Sequence, residues 1–191
     1  MARPSVAEER VGQIVEATIR TIAAEGITGA SLGRIAEEAG MSRGHVRHFV
    51  GNREELLRES ARRFYYEGTE GESILPAGTA DVAGAVDFFF SEEFAAPGND
   101  NVVVLGFVEA ARSDPALADL LVSAYQGTHV LLARLLAAEH PGAEPEDCDS
   151  VAYGVVGIAL HNVFLSDIAS AATGTETART AAERLIATLP S

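Results

Sequence analysis

One short segment concentrates side chains that donate hydrogen bonds on one side of a predicted helix. The segment follows Ser42, a residue type that commonly begins a helix. If Val46 faces the core, helical spacing turns its neighbours outward. Guanidinium and imidazole groups on such a face suit phosphate oxygens and the edges of guanine bases. The segment therefore predicts a nucleic-acid interface formed by Arg43, His45, Arg47 and His48.

The elements around this segment predict a helix-turn-helix. A helix is expected after Ser31, with Ile35 and Ala36 facing the core, and Gly40 supplies the turn because glycine adopts a positive φ at low cost. The helix that Ser42 begins then crosses the first one at Ala36, where a small side chain is needed. The alternative is a solvated helix in an ordinary bundle, but the core pattern, the turn and the basic face all agree with a helix-turn-helix.

Two further helices frame this motif. Apolar residues recur at three- and four-residue steps between positions 11 and 22, and Ser5 with Glu8 fits a capping box at the start of that helix. Asn52 is expected to cap a helix after the motif, where the acidic Glu54 and Glu55 favour its positively polarised start. This connecting helix, residues 54–67, leads away from the motif.

Charge is divided unevenly along the chain. The 191 residues carry a formal net charge of −14. Residues 1–63 hold ten of the fourteen basic residues, all of them arginine, against nine acids, whereas residues 64–191 hold four arginines against nineteen acids. The first third is therefore compatible with phosphates, and the remainder repels them.

Beyond a connection rich in glycine, helical patterning resumes. The spacing of apolar residues predicts helices at 80–95, 102–111, 114–139, 146–170 and 175–188, separated by turn-forming segments. No segment shows the alternation that is typical of a strand. We therefore expect an all-α chain.

Other functional classes find little support in the sequence. Cys148 is the one cysteine, so an intrachain disulfide is excluded. A metal or nucleophilic site would have to be drawn from residues whose spacing fits no standard zinc pattern and whose acids disfavour a thiolate, namely His129, Glu139, His140, Asp147, Cys148 and Asp149. We also find no phosphate-binding loop and no nucleophile elbow. We expect neither an enzyme nor a metal or other cofactor.

The sequence favours a cytoplasmic protein. The first ten residues lack the apolar run of a secretory signal. The uncharged stretch 150–166 is interrupted by glycines and polar residues and is shorter than the roughly 20 apolar residues of a membrane span.

Residues 1–60 resemble the TetR family of bacterial transcriptional regulators. The matching residues are Ser31, Ile35, Ala36, Ala39, Gly40, Met41, Ser42, Gly44, His48, Phe49, Asn52, Arg53, Leu56 and Leu57. The resemblance implies a three-helix DNA-binding domain over 1–53, the connecting helix over 54–67, and a helical ligand-binding and dimerisation domain over 68–191. It also implies that Arg43, Gly44, His45 and Arg47 face the groove, and that Ser31, Ser42, His48 and Arg53 contact the DNA backbone.

Two residues depart from the family pattern. At Arg47 the family usually has an aromatic residue, commonly tyrosine, and at Arg53 it usually has lysine. Arginine in place of lysine keeps a phosphate contact, whereas arginine in place of tyrosine changes either the base preference or the backbone contact. The operator of better-known members therefore does not transfer. The rest of the chain is faintly similar to the choline- and betaine-responsive branch of the family.

Aromatic and polar residues beyond the motif are candidates for a ligand site. Phe88, Phe89 and Phe90 are consecutive, and at about 100° per residue they span about 200° of a helix, so one face cannot bury all three. Either that helix is sandwiched in the core, or some of the rings line a cavity together with Phe107. The polar candidates, which would otherwise be hydrogen-bonded core residues, are Tyr125, His129, His161 and Asn162. Aromatic rings and the acidic excess favour an apolar or cationic ligand.

The helix around residues 150–169 is apolar on nearly every side, which predicts burial against more than its own domain. Its two glycines would let another helix approach closely. With the last helix and the symmetry mates of both, it is expected to form a four-helix dimer interface; the alternative is the central helix of a monomeric bundle. The candidate interface residues are Gly154, Gly157, Ile158, Leu165, Ala182 and Leu185.

Together these features predict a homodimeric, ligand-responsive transcriptional regulator, a repressor released from a palindromic DNA operator by a small molecule. The rival reading is a DNA-binding protein with a structural, ligand-independent role. Few operators beside its own gene would favour the regulator, and dense occupancy of the genome would favour the rival.

Overall fold

The computed structural model describes residues 5–69, 73–95, 99–169 and 174–191, and every regular element in these ranges is a helix. The prediction of an all-α fold is confirmed. The helices are α1 Val6–Gly29, α2 Leu32–Glu38, α3 Arg43–Val50, α4 Arg53–Tyr66, α5 Val82–Phe89, α6 Glu92–Ala95, α7 Asn99–Ala111, α8 Pro115–Glu139, α9 Pro145–Ala169 and α10 Thr175–Ile186.

The predicted caps start the first four helices. The Ser5 hydroxyl accepts a hydrogen bond from the backbone N–H of Glu8, whose carboxylate accepts one from the N–H of Ser5 in return. Asn52 and Glu55 form the same reciprocal capping box at α4. Ser31 and Ser42 cap α2 and α3 with their hydroxyls. Each cap satisfies first-turn N–H groups that have no acceptor inside the helix, which fixes where these helices begin.

Helices α2 and α3 pack as a helix-turn-helix. Gly40 has a φ of +65°, a left-handed conformation that favours glycine and lets the chain reverse between the two helices. The N–H of Met41 donates to the carbonyl of Ala36 at 2.8 Å, which closes the turn. Ile35, Ala36 and Val46 are buried, as their spacing predicts.

The helix predicted over 80–95 is in fact two helices, α5 and α6. Phe90 leaves helical geometry, and the Ser91 hydroxyl then accepts a hydrogen bond from the N–H of Phe94 at 3.2 Å. The break resolves the conflict between three consecutive phenylalanines and a single buried helix face. Phe89 and Phe90 are both buried, and Phe88 is half-buried with its ring 5.0 Å from that of Phe94.

The described residues fall into two compact units, and the first is not confined to the N-terminal segment. It comprises Met1–Glu67 together with Val102–Val122. Most of α7 and the first turns of α8 thus pack with α1 to α4, although the sequence analysis placed them in the region 68–191. Gly106 of α7 makes this packing close, because a Cβ there would lie 3.0 Å from Cγ2 of Ile22 and 3.3 Å from Cβ of Ile27.

The second unit comprises Gly68–Asn101 and Ser123–Ser191. Its core joins α5, α8, α9 and α10 through apolar residues that include Phe89, Leu132, Leu136, Val155 and Ala182. By length and composition alone, α8 and α9 could each cross a membrane, but core helices of soluble proteins share these properties.

Candidate functional site

The outer face of α3 carries the basic residues that the sequence singled out. Val46 is fully buried and anchors the helix, whereas Arg43, His45, Arg47 and His48 are exposed. At the start of α3 the Ser42 hydroxyl accepts a hydrogen bond from the N–H of His45 at 3.2 Å. The helix thus presents four donor side chains to one side while its opposite side is held in the core.

Most arginines of the first unit have partners that hold the fold. The Nε of Arg20 donates to Glu38 at 2.8 Å, and the Nε of Arg63 donates to Glu59 at 3.0 Å. Arg34 forms ion pairs with two carboxylates, those of Glu25 and Glu37.

The arginines of α3 are different. Within the described part of the first unit, four arginine side chains form neither a hydrogen bond nor an ion pair: those of Arg43, Arg47, Arg62 and Arg112. Two of these four belong to α3. An exposed guanidinium without an internal partner keeps all five donors for a ligand outside the chain, so α3 presents two such arginines side by side on one short helix.

The two histidines of α3 are braced by one aromatic ring. The centroid of the Phe49 ring lies 5.0 Å from that of His45 and 5.2 Å from that of His48. Phe49 itself is half-buried. Packing against this ring restricts the imidazoles, so less side-chain entropy is lost when they bind.

Arg53 lies in a different environment from the one that the family resemblance implies. Its Nε donates to the carbonyl of Ala30 at 2.8 Å, and its Nη2 donates to the carbonyl of Ile27. These bonds tie the start of α4 to the junction of α1 and α2. A lysine ammonium lacks the planar fork that reaches two carbonyls in this way. At least two of the Arg53 donors are thus used inside the fold, and a phosphate contact by the remaining donors stays a prediction.

A second tie holds α4, and sequence reasoning missed it. The Nε of Arg58 donates to both carboxylate oxygens of Asp114, at 3.0 and 2.8 Å, and Asp114 also accepts from the N–H of Leu117 at the start of α8. The hydrogen bond from Arg58 holds the pKa of the buried Asp114 carboxyl below its usual value, although burial opposes this shift. Further along α4, the Tyr66 hydroxyl donates to the carbonyl of Leu120 at 2.9 Å.

Local spacing in the sequence did not predict the ion pair between Arg58 and Asp114. Arg58 has Glu54 four residues before it, an arrangement that favours pairing along the helix. The partner observed is instead 56 residues away. The Asp114-Pro115 pair did mark the start of α8, since proline is favoured in the first turn of a helix.

The predicted ligand residues do not form one cluster. Phe107 is fully buried in the first unit, where its ring centroid lies 5.9 Å from that of Phe64, so its expected grouping with Phe88 to Phe90 is wrong. His161 is exposed on α9. A pocket shared by all the candidates is therefore excluded. The candidates that are buried or half-buried in the second unit are Phe88, Phe89, Phe90, Tyr125, His129 and Asn162.

Two polar members of that set already have partners. The side-chain amide of Asn162 is buried and donates to the Thr175 hydroxyl at 3.2 Å. The ring of His129 lies 5.2 Å from that of Tyr153, and burial lowers the pKa of the imidazole. Tyr125 is half-buried.

Two of the residues considered for catalysis, Glu139 and Cys148, are engaged in capping and packing. The Glu139 carboxylate accepts from the N–H of Val82, 2.8 Å away, and so caps α5. Burial raises the pKa of the Cys148 thiol, with smaller contributions from Asp147 and Asp149. Among the described residues, no group of three or more His, Cys, Asp or Glu side chains is placed to hold a metal ion.

The six predicted interface residues divide into inward and outward ones. A Cβ at Gly154 would lie 2.5 Å from the Leu185 side chain, so this glycine serves packing of α9 on α10 within the chain. Ala182 is fully buried in the core of its own unit and is unavailable to a partner. Gly157 and Leu165 are exposed, and Ile158 is half-buried.

An apolar stripe does run along the outside of α9. Tyr153, Phe164 and Ile168 are 69%, 52% and 65% exposed, and they share one helical face with Gly157 and His161. Of the six predicted interface residues, Gly157 lies on this face and Leu165 is also exposed, whereas Gly154 and Ala182 pack within the chain. A helix that is apolar on nearly every side gives no signal for which side is inward, and the dimer interface stays a prediction.

Comparison with known proteins agrees with this arrangement. Residues 14–60 match the family model described as bacterial regulatory proteins of the tetR family. The HTH-type transcriptional regulator PksA of Bacillus subtilis is 50% identical over 50 residues, which are 26% of this chain and 24% of that protein. The match thus spans about a quarter of this curated relative's length.

Solved structures extend the likeness to nearly the whole chain. A transcriptional regulator of Pseudomonas aeruginosa PAO1 superposes with a TM-score of 0.72 at 22% identity, covering 95% of this chain and 90% of that one. A regulator of Saccharomonospora viridis, solved in complex with choline, gives a TM-score of 0.72 at 19% identity over 94% of this chain and 96% of that one. Residues 14–60 thus carry the DNA-binding segment of the tetR family, and the chain as a whole shares its fold with these solved regulators.

Proposed function

We propose that this protein is a ligand-responsive DNA-binding regulator, a repressor that leaves its operator when a small molecule binds. The observation that carries the proposal is the outer face of α3, where two arginines without internal partners stand beside two braced histidines. A helix of this kind enters the major groove, where its N-terminal residues contact base edges. DNA as the target also implies a cytoplasmic location.

Transmission of a ligand signal is supported by the way α4 is held. The connecting helix corresponds to α4, which lies wholly within the first unit. Two of its side-chain ties lead toward α8: Arg58 binds Asp114, directly before α8, and Tyr66 binds Leu120 in the first turns of α8. Helix α8 continues without interruption from the first unit to residues of the second. We infer that a ligand favouring one position of α8 biases α4 and hence α3.

The apolar stripe of α9 supports a homodimer. Large exposed apolar side chains in a continuous stripe are typical of an interface. Two copies related by a two-fold axis would present two α3 helices to successive turns of the major groove, which matches a palindromic operator.

The ligand is proposed to be apolar or cationic. Residues 64–191 hold nineteen acids and four arginines. The phenylalanines of α5 pack in the core of the second unit, in which His129 and Tyr125 are half-buried. Such surroundings attract a cation through carboxylates and aromatic faces. The choline bound to the structural relative from Saccharomonospora viridis agrees with this class.

Substituting an α3 arginine should reduce the affinity for the operator more than the affinity for random DNA. A duplex enriched by the full-length protein from a random-sequence pool serves as the operator, and a scrambled duplex serves as the control. Arg43→Ala or Arg47→Ala should cost about 1–3 kcal/mol on the operator and much less on the scrambled duplex, if that arginine reads guanine. Arg53→Lys is the matched control, because it keeps the charge and loses the two carbonyl bonds. It should lower the melting temperature and leave the ratio of the two affinities unchanged.

Binding titrations at several salt concentrations measure these effects. Equal losses on both duplexes for Arg43→Ala and Arg47→Ala would show that α3 only holds the DNA backbone. Failure of the wild-type protein to enrich any sequence would contradict the regulator itself.

The dimer should depend on the stripe of α9. Phe164→Asp places a charge in the proposed interface and should weaken association by about 3 kcal/mol or more, because a buried charge without a partner is costly. Val108→Asp, on an exposed apolar residue of α7, is the matched control and should leave the mass unchanged. Light scattering at micromolar concentration measures both. A wild-type monomer, or equal behaviour of the two variants, would place the interface elsewhere.

A thermal-shift screen tests the class of ligand. Choline and other apolar or cationic small molecules should raise the melting temperature, since a ligand that binds the native state stabilises it. Citrate and similar polyanions should have no effect at matched ionic strength. Stabilisation by polyanions alone would contradict the proposal.

A further inference from the structure

The α3 helix has a gap in its outer face at Gly44. This residue is exposed, and a Cβ built on its backbone would have no heavy atom within 4 Å. Its backbone is helical and its φ is not in the left-handed region. Nothing in the described part of the chain therefore requires a glycine at this position.

Several other glycines of the first unit are explained by the fold, whereas Gly12 and Gly33 also have room for a Cβ. Gly40 and Gly51 have φ values of +65° and +74°, which favour glycine at the turns on either side of α3. Gly106 is needed for the close approach of α7 to α1. Gly33 has room for a Cβ, as Gly44 does, but it lies beside Arg34, whose charge is already paired with Glu25 and Glu37.

The surroundings of Gly44 distinguish it from these positions. It follows Arg43, and Arg47 and His48 lie three and four residues on, so these three side chains surround it on the helix surface. The result is a strip of bare backbone between long donor side chains. A glycine inside a helix lowers stability relative to alanine, so one that the fold does not need suggests close approach of another molecule.

We propose that Gly44 is the point where the α3 backbone meets the base edges of the operator, and that the missing side chain sets how deeply α3 enters the major groove. The inference rests on the proposed DNA-binding function. Any side chain at residue 44 would hold the helix away from the groove floor, and the reach of Arg43 and Arg47 toward the bases would be shortened together. Gly44 is thus a specificity-determining position although it offers no side-chain hydrogen bond.

Gly44→Ala tests this because its effects on folding and on binding have opposite signs. The melting temperature of the full-length variant should equal or exceed that of the wild type, since alanine favours the helix. Its affinity for the duplex enriched by the wild type should fall by about tenfold, the scale of one lost base contact. Gly44→Leu should bind this duplex more weakly still. A scrambled duplex should be bound almost as well by these variants as by the wild type.

The matched control is Gly12→Ala on α1, where a Cβ would make an ordinary contact of 3.4 Å with Nη1 of Arg63. This variant should be as stable as the wild type or more so, and its operator affinity should be unchanged. Unchanged operator affinity in Gly44→Ala would overturn the inference, as would equal losses on the enriched and scrambled duplexes. If the wild type itself enriches no sequence, the proposed function fails instead, so the two failures are distinguishable.

Discussion

The carboxylate of Asp114 joins α4 to the start of the long helix α8. It accepts hydrogen bonds from Arg58 of α4 and from the first turn of α8. A buried carboxylate needs such partners, because leaving one charge of a buried pair without the other is strongly destabilising. The start of α8 and the middle of α4 are therefore held together by one group that neither helix can release cheaply. Arg53 in turn ties the start of α4 to the junction of α1 and α2.

Some arginines of the first unit are paired within the chain, and others remain available to bind a partner outside it. Arg20, Arg34, Arg58 and Arg63 are paired with carboxylates. Their exposed pairs contribute little to stability one at a time, but they neutralise positive charge away from the recognition face. What remains on α3 is a compact basic surface on a chain whose net charge is strongly negative. The acidic balance of the whole chain is therefore no argument against a DNA target.

Predictions from the sequence succeeded where the signal is local. The caps at Ser5, Ser31, Ser42 and Asn52 lie within three residues of the groups they satisfy, and the burial of Val46 follows from helical spacing alone.

Predictions failed where the position or partner of a side chain is set by residues far away in the sequence. The partners of Arg53 lie 23 and 26 residues away, and that of Arg58 lies 56 residues away, beyond anything that spacing encodes. Gly154 and Ala182 were predicted to contact a partner chain, whereas they pack within their own chain. A small residue permits close helix packing in either setting, so its type does not distinguish the two. Phe107 was grouped with the other phenylalanines by residue type, whereas the fold places it in the other unit.

A double-mutant cycle at Arg58 and Asp114 tests most directly whether the tie between α4 and the start of α8 controls the binding of DNA by α3. Operator affinity is measured for the wild type, Arg58→Gln, Asp114→Asn and the double variant, using the enriched duplex and the full chain. Each single variant should bind more weakly, and the double variant no more weakly than either single one. The interaction energy should then be about 1–3 kcal/mol. Additive losses, or operator affinities that do not change, would contradict the account.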